Sequence, residues 1–207
     1  PIPIDSIETL QKIGNDPAYP LDGAYALTQD IDASATASWN DGAGFDPIGT
    51  MESRFTGFFN GNGHTISHLT INRPEEKYTG LFGAVDMTGN IKELGLCGIS
   101  VLGDYCVGGL IGWNNGAVTQ CYTTGSVSGM RSAGGLLGAN HEGLVSQCHS
   151  TASVSTQGFV AGGLIGETGY GRDASIGLGK FRLLGEAQPD PLLASKGREE
   201  PNAWLTL

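Results

Sequence analysis

The sequence predicts an all-β protein folded as a parallel β-solenoid of about four to five coils. A glycine-framed apolar phrase occurs four times, as YTGLFG, VGGLIG, AGGLLG and AGGLIG. The glycine before each leucine, at Gly80, Gly109, Gly135 and Gly163, recurs after 29, 26 and 28 residues, a period typical of repeat architectures. Between the phrases lie short apolar runs separated by Asn and Gly, without any helix-length periodic segment, which favours strands of about three to five residues.

Stacking of equivalent residues follows from this architecture, because successive coils lie about 4.7 to 4.9 Å apart. Two columns are expected from the phrases. One consists of Leu81, Leu110, Leu136 and Leu164, and the other of Phe82, Ile111, Leu137 and Ile165. Strand alternation would place the two columns on opposite faces unless the chain bends between them, and the glycines permit such a bend. A β-sandwich, the alternative all-β architecture, predicts irregular spacing without a recurring phrase.

Residues 1–54 are expected to form an N-terminal cap and entry loop. A short capping helix is predicted over Asp5–Gly14, with Asp5 as its N-cap and with Ile7, Leu10 and Ile13 on one face. A strand-like stretch, Tyr25–Ile31, follows, and then a glycine-rich acidic loop.

Residues 55–168 are expected to form the solenoid repeats. Within them, the segments 114–129 and 140–156 align at an offset of 27 residues, which matches Cys121 with Cys148. In an earlier, looser copy the same column is filled by Leu94. Residues 169–207 carry no full phrase and contain three prolines, so they are predicted to be a C-terminal tail that could plug the open end of the solenoid.

Charge excludes several partners. The 207-residue chain has a formal charge of −10 and a pI near 4.6, which disfavours nucleic acid and anionic membranes as partners. No apolar run is long enough to cross a bilayer, so membrane insertion is not expected. From residue 94 to 171 the basic residue is Arg131 alone, so the repeat surface is solvated mainly by Ser, Thr, Asn and Gln.

The chain resembles the bacterial GLUG-repeat family, which is named for glycine, leucine, a variable residue and glycine. The four phrases carry the resemblance, together with FNGNGHTI at 59–66, YALTQDID at 25–32, and the QCY and QCH strands that begin at Gln120 and Gln147. In that family the repeats occur in large cell-surface and secreted proteins, including adhesins and regions that flank the catalytic part of immunoglobulin A1 metallopeptidases. The resemblance implies a right-handed parallel β-helix. The HExxH motif of metallopeptidase chemistry is absent from this sequence.

Aromatic residues beside the phrases are the candidate ligand-binding residues. Tyr105, Trp113 and Tyr122, with Tyr78, could line a lateral surface for sugar stacking or protein contact. Packing of Trp113 against the next coil is the alternative. The expected partner is therefore a glycan or a protein on a host or cell surface.

Cysteines and carboxylates give further candidates. Cys121 and Cys148 fall in adjacent coils at a separation that permits a disulfide, although two small apolar side chains filling one column is the preferred interpretation. Four acidic residues offer oxygen ligands of the type calcium prefers, but their spacing matches no standard calcium loop, so neither metal nor cofactor is expected. They are Asp30, Asp32, Asp41 and Asp46.

The expected function is an extracellular or cell-surface binding or adhesion module without catalysis. The alternative is an esterase- or glycan-active hydrolase whose site lies between the coils and the C-terminal tail. No GxSxG nucleophile elbow is present. His141 with Glu142 on a turn is a possible acid/base pair, although a solvated turn is the preferred interpretation.

Overall fold

The computed structural model describes residues 1–158, 160–168 and 181–183. Its strands pair in parallel, in register, from one coil to the next. The largest unbroken path through one face contains six strands, so the chain makes about six turns. The all-β parallel solenoid predicted from the repeats is confirmed.

One short helix and a series of short strands make up the described chain. The helix is α1, Ile7–Gln11, and two 3-10 turns occupy Ser34–Ser38 and Asn40–Gly42. The strands, in chain order, are β1 Ile2–Ile4, β2 Ala24–Leu27, β3 Ile31–Asp32, β4 Phe58–Asn60, β5 Thr65–Ser67, β6 Thr70–Asn72, β7 Phe82–Val85, β8 Asn90–Lys92, β9 Gly95–Gly103, β10 Val107–Gly108, β11 Ile111–Asn114, β12 Ala117–Thr119, β13 Tyr122–Gly129, β14 Ser132–Gly134, β15 Leu137–Asn140, β16 Leu144–Ser146, β17 His149–Ser150, β18 Ser153–Thr156, β19 Val160–Gly162, β20 Ile165–Thr168 and β21 Phe181–Leu183.

Four parallel sheets form the faces of the solenoid. The first has the order β1-β2-β4-β8-β12-β16, and the second follows β21-β18-β13-β9-β5-β3, with β17 on β13 and β6 on β9. The third is β20-β15-β11-β7, and the fourth is β10-β14-β19. Each coil therefore passes from the third sheet to the first, then to the second and the fourth.

Columns of stacked side chains fill the interior. In the first sheet Tyr25, Phe59, Ile91, Val118 and Val145 lie in register, and all five are buried. Both columns predicted from the glycine phrase also face the core, from Leu81 to Leu164 and from Phe82 to Leu137. Ile165 packs against the same core while partly buried. The chain therefore bends within each phrase, as the two-column pattern required.

The expected number of coils, four to five, is too low. The segment before the first phrase adds β1 and β2 to the first sheet, although it contains no glycine phrase. These strands stack because their inward side chains, among them Ile4 and Leu27, are fully apolar and buried. Counting phrases alone misses such coils.

The N-terminal helix is present but shorter than predicted, and its cap is Ser6 in place of Asp5. The Ser6 hydroxyl accepts a hydrogen bond from the backbone N–H of Thr9 at 3.2 Å. Asp5 instead accepts a hydrogen bond from the Thr9 hydroxyl at 3.0 Å. The predicted apolar face of Ile7, Leu10 and Ile13 is buried. The predicted end plug in 169–207 lies outside the described residues, except for the pairing of β21 with β18.

The last glycine of each phrase packs directly on the backbone of the preceding coil. A Cβ on Gly112 would overlap the carbonyl carbon of Tyr78, and a Cβ on Gly138 would overlap that of Cys106. Neither glycine has a positive φ. The phrase therefore needs glycine because the missing side chain lets two coils approach, whereas left-handed backbone is not the reason.

Substitution of Gly138 tests this constraint. We expect Gly138→Ala to destabilise the fold by about 3 kcal/mol, the upper part of the range for overpacking a close contact. Gly63→Ala is the matched control, because Gly63 has a φ of 79° but open space around its Cβ position; it should cost about 1 kcal/mol. Urea unfolding followed by circular dichroism measures both. Equal losses in the two variants would contradict the packing explanation.

Candidate ligand-binding surface

Two of the three predicted binding residues lie together, and the third lies on another face. Tyr105 and Trp113 are joined through Tyr78: the ring centroids of Tyr78 and Tyr105 are 6.0 Å apart, and those of Tyr78 and Trp113 are 5.8 Å apart. His141 extends the group, with its ring 5.3 Å from that of Trp113. We call Tyr105, Tyr78, Trp113 and His141 the aromatic row. All four side chains are partly exposed.

Trp113 lies on the outer face of the third sheet. Its neighbours in register are Ala84 in the coil before and Ala139 in the coil after. Both neighbours have small side chains and are buried, so the indole can lie over them. The Trp113 Nε1 atom is itself buried, with no hydrogen-bond partner among the described residues. The Trp113 side chain is thus partly packed against its neighbours and partly exposed.

Tyr78 occupies a strained corner at the first position of the first phrase. Its φ is 59°, a left-handed conformation that bulky residues rarely adopt. Its backbone N–H donates to the carbonyl of Tyr105 at 2.7 Å, and the close contact with Gly112 packs the corner from the next coil. The corner therefore fixes the direction in which the Tyr78 ring leaves the solenoid.

A hydrogen bond to Glu167 holds Tyr105 at the end of the row. Its hydroxyl donates to Glu167 Oε2 at 3.0 Å, and the Cys106 thiol lies 3.8 Å from the same oxygen. Burial, together with Glu167, raises the pKa of Tyr105. Burial likewise raises the pKa of Cys106 to about 11. The thiol is therefore protonated at neutral pH and is not an activated nucleophile.

A cleft of about 530 Å³ adjoins the row, and Tyr78 belongs to both. Polar and charged side chains are the more numerous in its lining, although its polar and apolar surfaces are about equal in extent. They are Asn15, Asp46, Thr50, Glu52, Glu75, Glu76 and Lys77, with Pro47 and Met51 as the apolar contributors. Arg73 supports one wall from behind: its guanidinium lies 2.6 Å from Asp46 Oδ1 and 2.7 Å from Glu76 Oε1.

Tyr122 forms a separate pair on the second sheet. Its ring stacks on His149 with centroids 5.2 Å apart and an angle of 6° between the planes. The Tyr122 ring also covers Gly95, where a side chain would meet it. A hydrogen bond with Cys97 at 3.8 Å raises the pKa of Tyr122.

Asp30 and Asp32, two of the four acidic residues considered as calcium ligands, make other contacts. Asp30 accepts from the Thr65 backbone N–H at 2.8 Å and lies 3.3 Å from His64. Asp32 accepts from the Ser34 N–H and lies 3.2 Å from the ring of His68. These hydrogen bonds lower the pKa of both carboxyls. Among the described residues, no three His, Cys, Asp or Glu side chains converge as metal ligands would.

All four cysteines are free thiols in this structure, and Cys121 and Cys148 share one corner column. The residues before them, Gln120 and Gln147, have φ values of 54° and 55°, so the two corners are alike. The Cys121 backbone N–H donates to Cys148 Sγ at 3.4 Å. Cys121 is buried, whereas Cys148 is partly exposed. The disulfide between them stays a prediction.

The cleft and the role of His141 in the row were not predicted as parts of a site. Asp46 was considered only for calcium, and His141 only for acid/base chemistry. One signal was available for His141. The 26-residue offset aligns Asn114 with Asn140, so His141 directly follows the strand that stacks on the strand of Trp113. No comparable signal exists for the cleft, because its lining residues other than Tyr78 all precede the first phrase.

Stacked parallel coils that approach one another closely at the phrase glycines define a β-solenoid repeat protein. One segment matches a family model: residues 103–128, from the end of β9 into β13, match the GLUG motif. The family resemblance read from the four phrases is thereby confirmed.

Two relatives share this sequence over part of their length. Halomucin of Haloquadratum walsbyi is 44% identical over 143 residues, which is 67% of this chain and 2% of halomucin. A protein of Evansella cellulosilytica, named as a Gly-rich membrane protein, is 40% identical over 116 residues, or 54% of this chain and 13% of that protein. The chain thus corresponds to a small part of each relative. In the described part of this chain, the helices are too short and too polar to span a bilayer.

A crystal structure from Bacteroides ovatus has the same fold. Its protein is named as an immunoglobulin A1 protease, and the match has a TM-score of 0.58 over 88% of this chain and 64% of that one. The sequences are 16% identical, so the likeness concerns the fold alone.

The thiol pair gives a pH-dependent prediction. Hydrogen bonding from Cys121 lowers the pKa of Cys148 to about 7 from its ordinary 9.0, while the same pairing and burial raise the pKa of Cys121. Since the folded-state pKa of Cys148 is depressed, its ionisation stabilises the fold at high pH, and this contribution is lost as the pH falls through about 7. Iodoacetamide labelling of the folded protein, read by mass spectrometry, should therefore select Cys148 with a midpoint near that pH.

Cys121→Ala supplies the control for this experiment. Without the donating thiol, the labelling midpoint of Cys148 should move upwards, towards that of an ordinary cysteine. Equal labelling of both cysteines in the wild-type protein, or an unchanged midpoint in the variant, would show that the two thiols are not coupled.

Proposed function

We propose that this chain is a binding module of a cell-surface protein and that it holds its ligand on the aromatic row. The observation that carries the proposal is the row itself: four partly exposed rings from consecutive coils, one on a strand and three in connecting segments, contact one another in series. Tyrosine and tryptophan give large contact areas at low entropic cost, because few torsions are frozen on binding.

The surroundings of the row favour binding over purely structural packing. Tyr78 holds a strained left-handed backbone, and strain of this kind concentrates at functional sites. The Tyr105 hydroxyl is tied to Glu167 across the stack. The row is therefore rigid before any ligand arrives, which reduces the entropy lost on association.

A surface location is supported by the repeat type and by the relatives. One relative is named as a membrane protein, and the solenoid extends by adding coils, an architecture that holds a binding face at a distance from its anchor. Adhesion to another cell or to a matrix is one use of such a face, and it belongs to the proposal.

The hydrolase alternative gains no support from the described residues nearest to the C-terminal tail. Cys106, Ser132 and Glu167 lie together there, but the Cys106 thiol accepts a hydrogen bond from the Ser132 hydroxyl at 3.8 Å and stays protonated at neutral pH. A nucleophile at this position would need a base that removes the proton, and Glu167 instead raises the pKa of the thiol.

The test of the proposal is Trp113→Ala measured against Tyr122→Ala. We expect the labelled full chain to bind saturably to whole cells or envelope fractions from a panel of bacteria and archaea. Trp113→Ala should weaken this binding at least about tenfold, which corresponds to 1.4 kcal/mol. Tyr122→Ala removes a similar partly exposed ring from a different sheet, and it should leave the affinity unchanged. Saturable binding that is unaffected by Trp113→Ala, or no binding to any envelope, would refute the proposal.

A further inference from the structure

The cleft beside the aromatic row suggests which ligand the row holds. Tyr78 lines the cleft and also contacts both Tyr105 and Trp113 in the row. The two features therefore form one continuous surface, which we call the groove. Its length exceeds that of a single small ring, because the row extends from Tyr78 by one step of 6.0 Å to Tyr105, and by steps of 5.8 Å to Trp113 and 5.3 Å from there to His141.

We infer that the groove binds a neutral linear polysaccharide, with the cleft holding the hydroxyl groups of one or two sugar rings and the row contacting the rings that follow. This inference rests on the proposed binding function and adds the chemical class of the ligand. It combines three properties of the groove: its donor and acceptor chemistry, its charge, and its lack of exposed aliphatic side chains.

Carboxylate and amide oxygens in the cleft match sugar hydroxyls. Glu52 and Glu75 are exposed, and neither makes an ion pair within the described part of the chain. Carboxylates accept strong hydrogen bonds from hydroxyl donors, while Asn15 and Thr50 can both donate and accept. A sugar presents both kinds of partner around one ring.

The balance of charge selects a neutral ligand. Arg73 neutralises Asp46 and Glu76, and its guanidinium is largely buried behind them, with 12% of the side chain exposed. Lys77 lies among the remaining carboxylates. An anionic polysaccharide would be repelled by Glu52 and Glu75, and a polycation would meet the positive charge of Lys77 beside these two carboxylates.

The aromatic part of the groove suits the C–H faces of sugar rings. The face of an aromatic ring carries negative charge density and attracts weakly positive C–H groups. Row residues are amphipathic, since each carries a polar atom beside its ring. They can therefore contact an alternation of C–H and O–H groups without burying an unpaired polar group.

A protein partner fits the groove less well. The large aliphatic side chains that the described chain exposes are Met87, Met130 and Leu144, and none of them lines the cleft or belongs to the row. The cores of protein interfaces are depleted of charged residues, whereas Asp46, Glu52, Glu75, Glu76 and Lys77 all line the cleft. The groove offers rings and hydroxyl-binding atoms instead.

Affinity gel electrophoresis and calorimetry of the full chain test the inference. The probes are neutral polysaccharides (hydroxyethylcellulose, mannan, dextran and xyloglucan), anionic alginate, and cationic chitosan oligomers. We expect at least one neutral polymer to bind, with an affinity that changes less than about twofold between about 50 mM and about 500 mM NaCl, because no charge pairing contributes.

Tyr78→Asn is the decisive variant. Asparagine tolerates the left-handed backbone that this corner requires, so the fold is retained while the ring is lost, and thermal unfolding verifies this. The affinity of the Tyr78→Asn variant for the neutral polymer should fall at least about tenfold. Tyr122→Asn is the matched control and should bind like the wild type. Glu52→Ala combined with Glu75→Ala, both exposed, tests the cleft independently should Tyr78→Asn unfold, and it should also weaken binding.

The polysaccharide inference and the proposed binding function are contradicted by different experimental results. If cells bind the protein in a Trp113-dependent manner, but neutral polysaccharides neither bind nor compete, the polysaccharide inference is overturned and the binding module stands. Binding to chitosan alone that disappears at high salt overturns it in favour of a cationic ligand. If neither cells nor polymers bind, both proposals are refuted.

Discussion

Close approach of one backbone to another at the glycine corners is the constraint on which the solenoid depends. Each coil turns sharply within its phrase, and the last glycine of that phrase meets the corner of the coil before it, as Gly112 meets Tyr78 and Gly138 meets Cys106. No side chain fits between them. The two aliphatic columns reach the core from either side of this bend, so the period of the sequence and the packing of the interior have the same physical origin.

The corner also explains where chemistry can be located. After its first residue, the phrase is occupied by glycine or by buried side chains, so functional groups must lie at its first position, just before it or just after it. Tyr78 begins a phrase, Tyr105 precedes one, and Trp113 follows one. These rings come from positions that are not equivalent in the repeat, since only Trp113 lies in a strand of the third sheet, and they contact one another between coils without forming a straight column.

The fold was predictable because it repeats, and the site was less so because it does not. Four phrases determine the coils, the register of Cys121 with Cys148, and the two core columns. Two N-terminal coils escaped prediction because Ile4 and Leu27 stack without any phrase. Trp113 and Tyr105 were identified as aromatic residues beside a phrase, but their contact through Tyr78 depends on its left-handed corner. One wall of the cleft depends on Arg73. Its two carboxylate partners, Asp46 and Glu76, do not recur at a fixed spacing in the sequence, so no repeat predicts them.

One interior column changes character along the stack. In the second sheet Ile31, Ile66 and Leu96 are succeeded in register by Thr123 and Ser150, whose hydroxyls lie 2.9 Å apart. The early coils therefore bury more apolar surface in this column, and such burial drives collapse. The later coils rely more on hydrogen bonds between side chains of neighbouring coils. In an array where each repeat contacts only the next, such a gradient gives folding a direction: ordered structure is expected to nucleate among the early coils and to propagate towards the C-terminal ones, each coil providing the template for the next.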